Sequence, residues 1–181
     1  MDRENQAFIA KKYAKAFLKL FSSTLNLQIP EDIYKIRTFI SYLHDHRDSL
    51  FYADLKLLSV EKRQTILHNL IDKFNLPSLI KKLTDLLVLH QRVFLLDDIL
   101  KSILKLYLDT NKITLFEVYS SHPLSPEHQE AFVQFLASKS NKNVIINSHL
   151  DPHLIAGLKA ISTEFEWEHS IRKKLSLLNQ T

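Results

Sequence analysis

Along the first two-thirds of the chain, apolar residues recur every three or four positions, the spacing of helices packed by one face. Residues 6 to 21 place Ile9, Ala10, Tyr13, Ala14, Ala16, Phe17, Leu20 and Phe21 on one side. At about 100° per residue this arc is roughly 160° wide, broader than one neighbour needs. It predicts contact with the core and with a further partner. Lys11, Lys12, Lys15 and Lys19 lie largely off the arc.

Pro30-Glu-Asp suits a first helical turn, with proline at the start and acids at the positive end of the dipole. Ile33, Ile36, Ile40 and Leu43 follow in register, and a shorter segment over Ser49 to Leu57 is the third. Ser59 is placed to cap a helix carrying Ile66, Leu67, Leu70, Ile71 and Phe74. Pro77 opens a fifth segment with Leu79, Ile80, Leu83, Leu86 and Leu87. A sixth runs from about Val93 to Leu108, with Leu96, Ile99, Leu100, Ile103 and Tyr107 inward. Six helical segments with short joints read as an antiparallel bundle over residues 1–110.

The pattern changes near Thr110-Asn-Lys112. Lys112 to Tyr119 is rich in β-branched and aromatic residues and reads as a strand. Ser125-Pro-Glu127 starts a helix with Ala131, Phe132, Phe135 and Leu136 on one face. Asn143 to Asn147 reads as a short strand, and Leu154 to Ile161 with Glu164 to Glu168 as a hairpin. Ser170 then begins a helix with Ile171, Leu175 and Leu178 in register. Residues 111–181 are therefore a small α+β domain, and the fold class is α+β.

Composition narrows the function classes. The 181 residues contain no cysteine, which excludes disulfides and thiolate chemistry. A single glycine, Gly157, excludes the glycine-rich loops by which backbones approach phosphates. Gly157 lies in an apolar run, where glycine marks a bulge or the close approach of another backbone. No apolar run reaches the length of a bilayer span. The start, Met1-Asp-Arg-Glu, carries acids where a transit peptide avoids them, so an unprocessed cytosolic chain is expected. A net charge of +4 is mildly basic and reads as ordinary surface charge.

Histidine is the residue that invites an enzyme reading. His44 and His46 sit two apart on a helix and point to different sides, a poor geometry for one metal. His149 and His153 flank Asp151, but Pro152 breaks any helix that would align them, and no HExxH occurs. His169 beside Ser170 lacks an orienting acid and an oxyanion loop, so Ser170 reads as a helix cap. No catalytic set assembles, and neither metal nor cofactor is expected. Arg172-Lys-Lys174 reads as a solvated helix end or a salt-bridging face for an acidic partner helix.

Several segments together resemble one family. Ile9-Ala-Lys-Lys-Tyr-Ala-Lys-Ala16 is similar to an opening Val-Ala-x-x-Tyr-Ala-x-Ala. Ser59-Val-Glu-Lys-Arg63 resembles its middle, and Arg92 in His90-Gln-Arg-Val93 matches an Asn-x-Arg-Leu. Ser120-Ser-His-Pro-Leu-Ser125 resembles the Ser-Ala-x-x-Leu-Ser after its first strand. Asp151, Leu154, Ile155 and Gly157 match an Asp-Pro-x-Leu-Ile-Gly-Gly segment, followed at the family distance by Ser170 and Arg172. The order and spacing resemble the delta subunit of ATP synthase, called the oligomycin-sensitivity-conferring protein in mitochondria. Ala156 replaces one glycine of the pair, Thr163-Glu164 replaces the usual Gly-Asp of the hairpin turn, and Glu168-His169 replaces Asp-Gly. Residues other than glycine disfavour the positive φ of tight hairpin turns, which bears on the geometry there.

The resemblance implies a non-catalytic stator subunit of a proton-translocating ATP synthase, in the peripheral stalk on the cytoplasmic face of a bacterial inner membrane or its plastid equivalent. It implies that the helical domain receives the N-terminal helix of an alpha subunit between its first and fifth helices. Tyr13 and Leu86 match family contact positions, with Ala14, Phe17, Leu79 and Leu83 as neighbours. The C-terminal domain would hold the C-terminal helices of the b subunits, with no nucleic acid bound and the membrane reached only through the complex. The alternative from composition is a basic helical nucleic-acid-binding regulator. A hydrolase using the histidines is a weaker third.

Overall fold

The structure is a computed structural model that describes residues 3–21, 30–48 and 58–178. The chain divides into two units, Met1–Tyr107 and Leu108–Thr181. Among the described residues there are seven α-helices and a four-stranded sheet, so the fold is α+β.

Five helices lie wholly or largely in the first unit: α1 (Arg3–Phe21), α2 (Pro30–Asp45), α3 (Val60–Lys73), α4 (Ser78–Leu89) and α5 (Leu96–Thr110). The third helical segment expected from sequence, Ser49 to Leu57, lies outside the described residues, so α4 is the fifth segment of the sequence reading. The start signals act where the sequence placed them. Pro30 opens α2, and the Ser59 hydroxyl accepts from the Lys62 amide at 3.4 Å to cap α3. A 3-10 turn, Val93–Leu95, leads into α5.

Ile33, Ile36, Ile40 and Leu43 of α2 are buried, as are Leu96, Ile99, Leu100, Ile103 and Tyr107 of α5. Each fully buried aliphatic or aromatic side chain contributes about 1.5–3 kcal/mol. Of the apolar residues that α3 carries, Ile66 is 55% exposed, while Leu67 and Ile71 are buried. On α1 the buried stripe is Ala10, Ala14 and Phe17, and Ala16 and Leu20 face outward. The remaining arc residues, Ile9, Tyr13 and Phe21, are half-buried.

The ends of α3 and α4 share one device. After α3, Asn75 takes φ 51, its amide bonds to the Asp72 carbonyl and the Leu76 amide to the Ile71 carbonyl. After α4, Gln91 takes φ 54, its amide bonds to Val88 and the Arg92 amide to Leu87. These are Schellman closures, which normally use glycine at the left-handed position. The two helices run antiparallel, joined by Lys81–Asp72 at 2.6 Å and His68–Asp85 at 2.8 Å.

The second unit holds β1 (Ile113–Ser120), α6 (Pro126–Ser140), β2 (Asn143–Leu150), a 3-10 turn (Pro152–Leu154), β3 (Gly157–Ile161), β4 (Glu166–Ser170) and α7 (Ile171–Leu178). The strand order is β2-β1-β3-β4. β1 and β2 are parallel, joined through α6, and β3 is antiparallel to both β1 and β4. Ser125 caps α6 by accepting from the His128 amide. β2 extends to Leu150, beyond the short strand expected, because it pairs with β1 along eight residues. The first hairpin arm begins at Gly157, since Leu154 is held in the 3-10 turn.

Alternate residues of β1, among them Phe116 and Val118, are buried with Phe132 and Leu136 of α6 and Ala160 of β3. Trp167 closes this core, its ring 5.2 Å from Phe135 and 5.5 Å from Phe132. Ala131, read with Phe132, Phe135 and Leu136 on one face, is exposed. The opposite sheet face carries polar pairs set by the register, with Glu117 opposite Asn147 and Tyr119 opposite His149.

Candidate partner-binding surfaces

In the helical unit, α1 meets the end of α4 through two side chains. The Arg92 guanidinium donates to the Tyr13 hydroxyl at 3.1 Å and lies 6.0 Å from the Tyr13 ring centre. Local backbone chemistry sets this up. The left-handed Gln91 reverses the chain, and the Arg92 amide is pinned to the Leu87 carbonyl at 2.8 Å. Arg92 thereby leaves α4 in a fixed direction.

The residues singled out from sequence divide into two sets. Ala14, Phe17, Leu79 and Leu83 are buried in the helical unit. Tyr13 is half-buried and Leu86 is 43% exposed, so these two reach the surface. Leu89, one turn beyond Leu86, is 67% exposed, and Phe8 of α1 is 57% exposed with the Lys12 ammonium 4.4 Å from its ring centre. Sequence reasoning passed over Leu89, although its spacing from Leu86 is helical. It noted Arg92 without its contact to Tyr13, which is invisible locally because the two lie 79 positions apart.

The same unit buries Asp97 completely. Neither carboxylate oxygen accepts a hydrogen bond among the described residues. Lys101, His44 and Arg47 stand 3.6, 3.7 and 3.8 Å away. Arg47 also binds Asp98 at 2.6 Å. The arrangement ties the end of α2 to the start of α5, and the acids suit that helix's positive end. His46 turns away, its Nδ1 at 2.8 Å from the Tyr42 carbonyl and its ring stacked on Tyr42.

In the second unit, the Asp151 carboxylate accepts from the His153 amide at 3.0 Å and holds the 3-10 turn. Leu154 is buried, while Ile155 is exposed at φ 65 and ψ −60. Gly157 adopts φ 117, and a Cβ there would sit 2.1 Å from the His169 carbonyl oxygen and 2.7 Å from the Ser170 Cα. The close backbone approach expected at this glycine is therefore the β3–β4 pair itself. Buried Ser170 accepts from the Lys173 amide at 3.0 Å and donates to Glu168, so it caps α7. Arg172 is exposed.

The hairpin turn closes without any positive φ at Thr163 or Glu164. The Ser162 hydroxyl accepts from the Phe165 amide at 2.9 Å, and the Ser162 amide donates to the Phe165 carbonyl at 2.8 Å. Lys142 donates to Glu164 at 2.7 Å, and that hydrogen bond, with the lysine's charge, lowers the Glu164 pKa. On the outer sheet face the Glu117 carboxylate is 2.7 Å from His149 and accepts from Asn147 at 2.8 Å. Among the described residues, no group of three or more histidines and acids is placed to hold a metal ion, and no helix is long and apolar enough to cross a membrane.

Known proteins give this geometry a context. The ATP synthase subunit delta of Nostoc punctiforme is 27% identical over 154 residues, covering 84% of this chain and 82% of that protein. The ATP synthase subunit delta of Clostridium kluyveri is 24% identical over 177 residues, covering 93% and 92%. A chain in the cryo-EM structure of the Toxoplasma gondii mitochondrial ATP synthase hexamer shares the fold, with a TM-score of 0.53 over 94% of this chain and 95% of that one, at 17% identity. A family model described as the ATP synthase delta (OSCP) subunit matches residues 9–181. With that match spanning nearly its whole length, the chain belongs to the ATP synthase delta (OSCP) subunit family.

Proposed function

We propose that the helical unit, as a six-helix bundle over residues 1–110, receives the N-terminal helix of an alpha subunit, and that the α+β unit, residues 111–181, holds the C-terminal helices of the b subunits. As a member of the delta family, the protein is a stator subunit of ATP synthase. The proton current turns a rotor against the catalytic head, and without a stator the head would turn too. The subunit resists that torque by binding, with no active site of its own. It sits at the membrane's edge through the complex, on the cytoplasmic face of a bacterial inner membrane.

The observation that carries the first contact is the Tyr13–Arg92 pair, which links α1 to the end of α4, the helix that carries exposed Leu86 and Leu89. In this reading Phe17, Leu79 and Leu83 form the floor under a bound helix and Ala14 lets it approach. Tyr13 and Leu86 supply the walls. A helix docked this way is held by spaced apolar anchors. Resisting torque requires slow dissociation, which a buried apolar contact provides better than charge steering.

Calorimetric titration with a synthetic peptide of the alpha N-terminus tests this. Saturable binding is expected, weakened about tenfold or more by Tyr13→Asp or Leu86→Asp, each equivalent to about 1.4 kcal/mol or more, with cooperative melting retained. Normal binding by both variants would place the helix elsewhere. A filter-binding titration against nucleic acid separates the alternative regulator reading, whose affinity would fall steeply with salt.

A further inference from the structure

β2 is an edge strand, and one side of its backbone has no neighbouring strand. The Asn143 amide donates to the Lys112 carbonyl at 2.9 Å, and the Asp151 amide to the Ser120 carbonyl at 2.8 Å. Peptide groups alternate in direction along a strand. The odd-numbered residues therefore bond to β1, and Val144, Ile146, Ser148 and Leu150 turn their N–H and C=O groups outward. Among the described residues no hydrogen bond reaches those outward groups. Native edge strands are blunted by lysine, proline, a bulge or a covering element. Asn143 to Leu150 contains no lysine, proline or acid, and it pairs with β1 over eight residues without a bulge. Its one titratable side chain, His149, is turned to Glu117 at 2.7 Å, on the sheet face away from α6.

The surface above this edge lacks charge as well. Phe132 and Phe135 of α6 meet Trp167 of β4, the other edge of the sheet. At about 100° per residue, Val133 and Ala137 project from the opposite flank of α6, over β2. Both are half-buried, and the nearest charged side chain on that flank, exposed Glu130, lies further round the helix. Leu150, at the end of the strand, is 62% exposed. It shares a sheet face with Val144 and Ile146, which pack on the α6 core.

We propose that the β2 edge is a contact for a second copy of this chain, paired antiparallel about a two-fold axis so that two four-stranded sheets join into one. The strand is complementary to itself in one register. With Asn147 opposite Asn147 on the axis, Ile146 of each copy exchanges backbone bonds with Ser148 of the other, and Val144 with Leu150, so all four outward residues are paired. That register lays exposed Leu150 against Val144 of the second copy and turns the Val133–Ala137 flanks of the two α6 helices towards each other. No like charges meet along the strands. A foreign strand would find the same backbone groups, but the fit of Leu150 to Val144 and the uncharged helix flanks favour the chain itself. Such a contact is isologous and closes on itself. Eight residues make an edge about 26 Å long, which with the helix flank puts the contact at the small end of specific interfaces, about 600 Å² a side. The dimer should therefore depend on concentration. Two copies of the chain suffice for it, so it holds whether or not the stator contacts are placed correctly.

Sedimentation velocity of the full chain, from low to high micromolar concentration, tests this. The wild-type chain should pass from monomer to dimer. Ser148→Lys and Leu150→Lys, both at exposed positions, should raise the dimer dissociation constant about tenfold or more, because a charge on an edge strand opposes pairing. The chain has no cysteine, so Asn147→Cys supplies one thiol on the two-fold axis, where facing residues of a non-hydrogen-bonded pair come close enough for a disulfide. Mild oxidation should link two copies of Asn147→Cys and leave Ser138→Cys, an exposed control on α6, unlinked. All these variants should melt as the parent does. A wild-type chain that stays monomeric at every concentration overturns the proposal and leaves the edge to another protein's strand. A dimer that both lysine variants retain places the contact elsewhere and overturns it too. A dimer that the lysine variants lose, but that Asn147→Cys does not link, overturns the register.

Discussion

Both units hold residues at positive φ, and Gly157 of the α+β unit differs from Asn75 and Gln91 of the helical unit in what the residue has to be. In the helical unit, Asn75 and Gln91 take positive φ at the ends of α3 and α4, and both are exposed. Their side chains meet solvent, so the cost is the local clash of a Cβ with its own backbone. In the α+β unit, Gly157 takes φ 117 against the backbone of His169 and Ser170. There a side chain meets another strand. A chain with a single glycine has it where tertiary packing forbids any alternative, and does without it where only intrinsic preference is at stake. Gln91 directs Arg92 to Tyr13, and Gly157 lets β4 approach so that α7 follows beside Ile155.

The comparison breaks hardest at Gly157. Gly157→Ala should destabilise the α+β unit by about 3 kcal/mol or more, through strain at a special φ and a clash with backbone. Amide hydrogen exchange should show protection lost in β3 and β4 while α3 and α4 keep theirs. An unchanged exchange pattern would mean that the sheet absorbs a Cβ there. Ser170→Ala removes the cap of α7 and should cost about 1 kcal/mol, read by denaturant unfolding.

The helical unit should respond the other way. Gln91→Gly relieves the left-handed strain and should stabilise by about 0.5 kcal/mol after the added chain entropy is counted. Its partner test is Arg92→Ala, which frees Tyr13 and should weaken the alpha peptide a few-fold in the calorimeter. The smallest effect is at Glu164. Its pKa is lowered in the folded state by Lys142, so its contribution is present at neutral pH, above the unfolded carboxylate's pKa, and is lost as pH falls through the folded value. Glu164→Gln should lower the melting temperature slightly at pH 7 and not at all in strong acid.

Much of the fold was legible because its signals are local. Pro30, Ser59 and Ser125 start helices by satisfying or dispensing with amides beside them. The helical period identified which residues lie on one arc. It does not say which part of an apolar arc is covered, and Ile66 and Ala131, each in an apolar set, lie at the surface. The hairpin at Thr163 shows the same limit. The loss of glycine argued against a tight turn, and the Ser162 hydroxyl closes it by another route. For the proposed surfaces, the apolar stripe of α1 and the lone glycine were visible in the residues, while the Arg92–Tyr13 bond was not.

What the sequence determined alone is most of the described elements, the α+β class and a family likeness resting on order and spacing. These follow from periodicity, capping and residue chemistry that act within a few positions. The tertiary structure decided which apolar residues remain uncovered, which strands pair and over what length, and which distant side chains meet. Those depend on neighbours far away in the chain, because burial is a property of what packs against a residue and not of the residue itself.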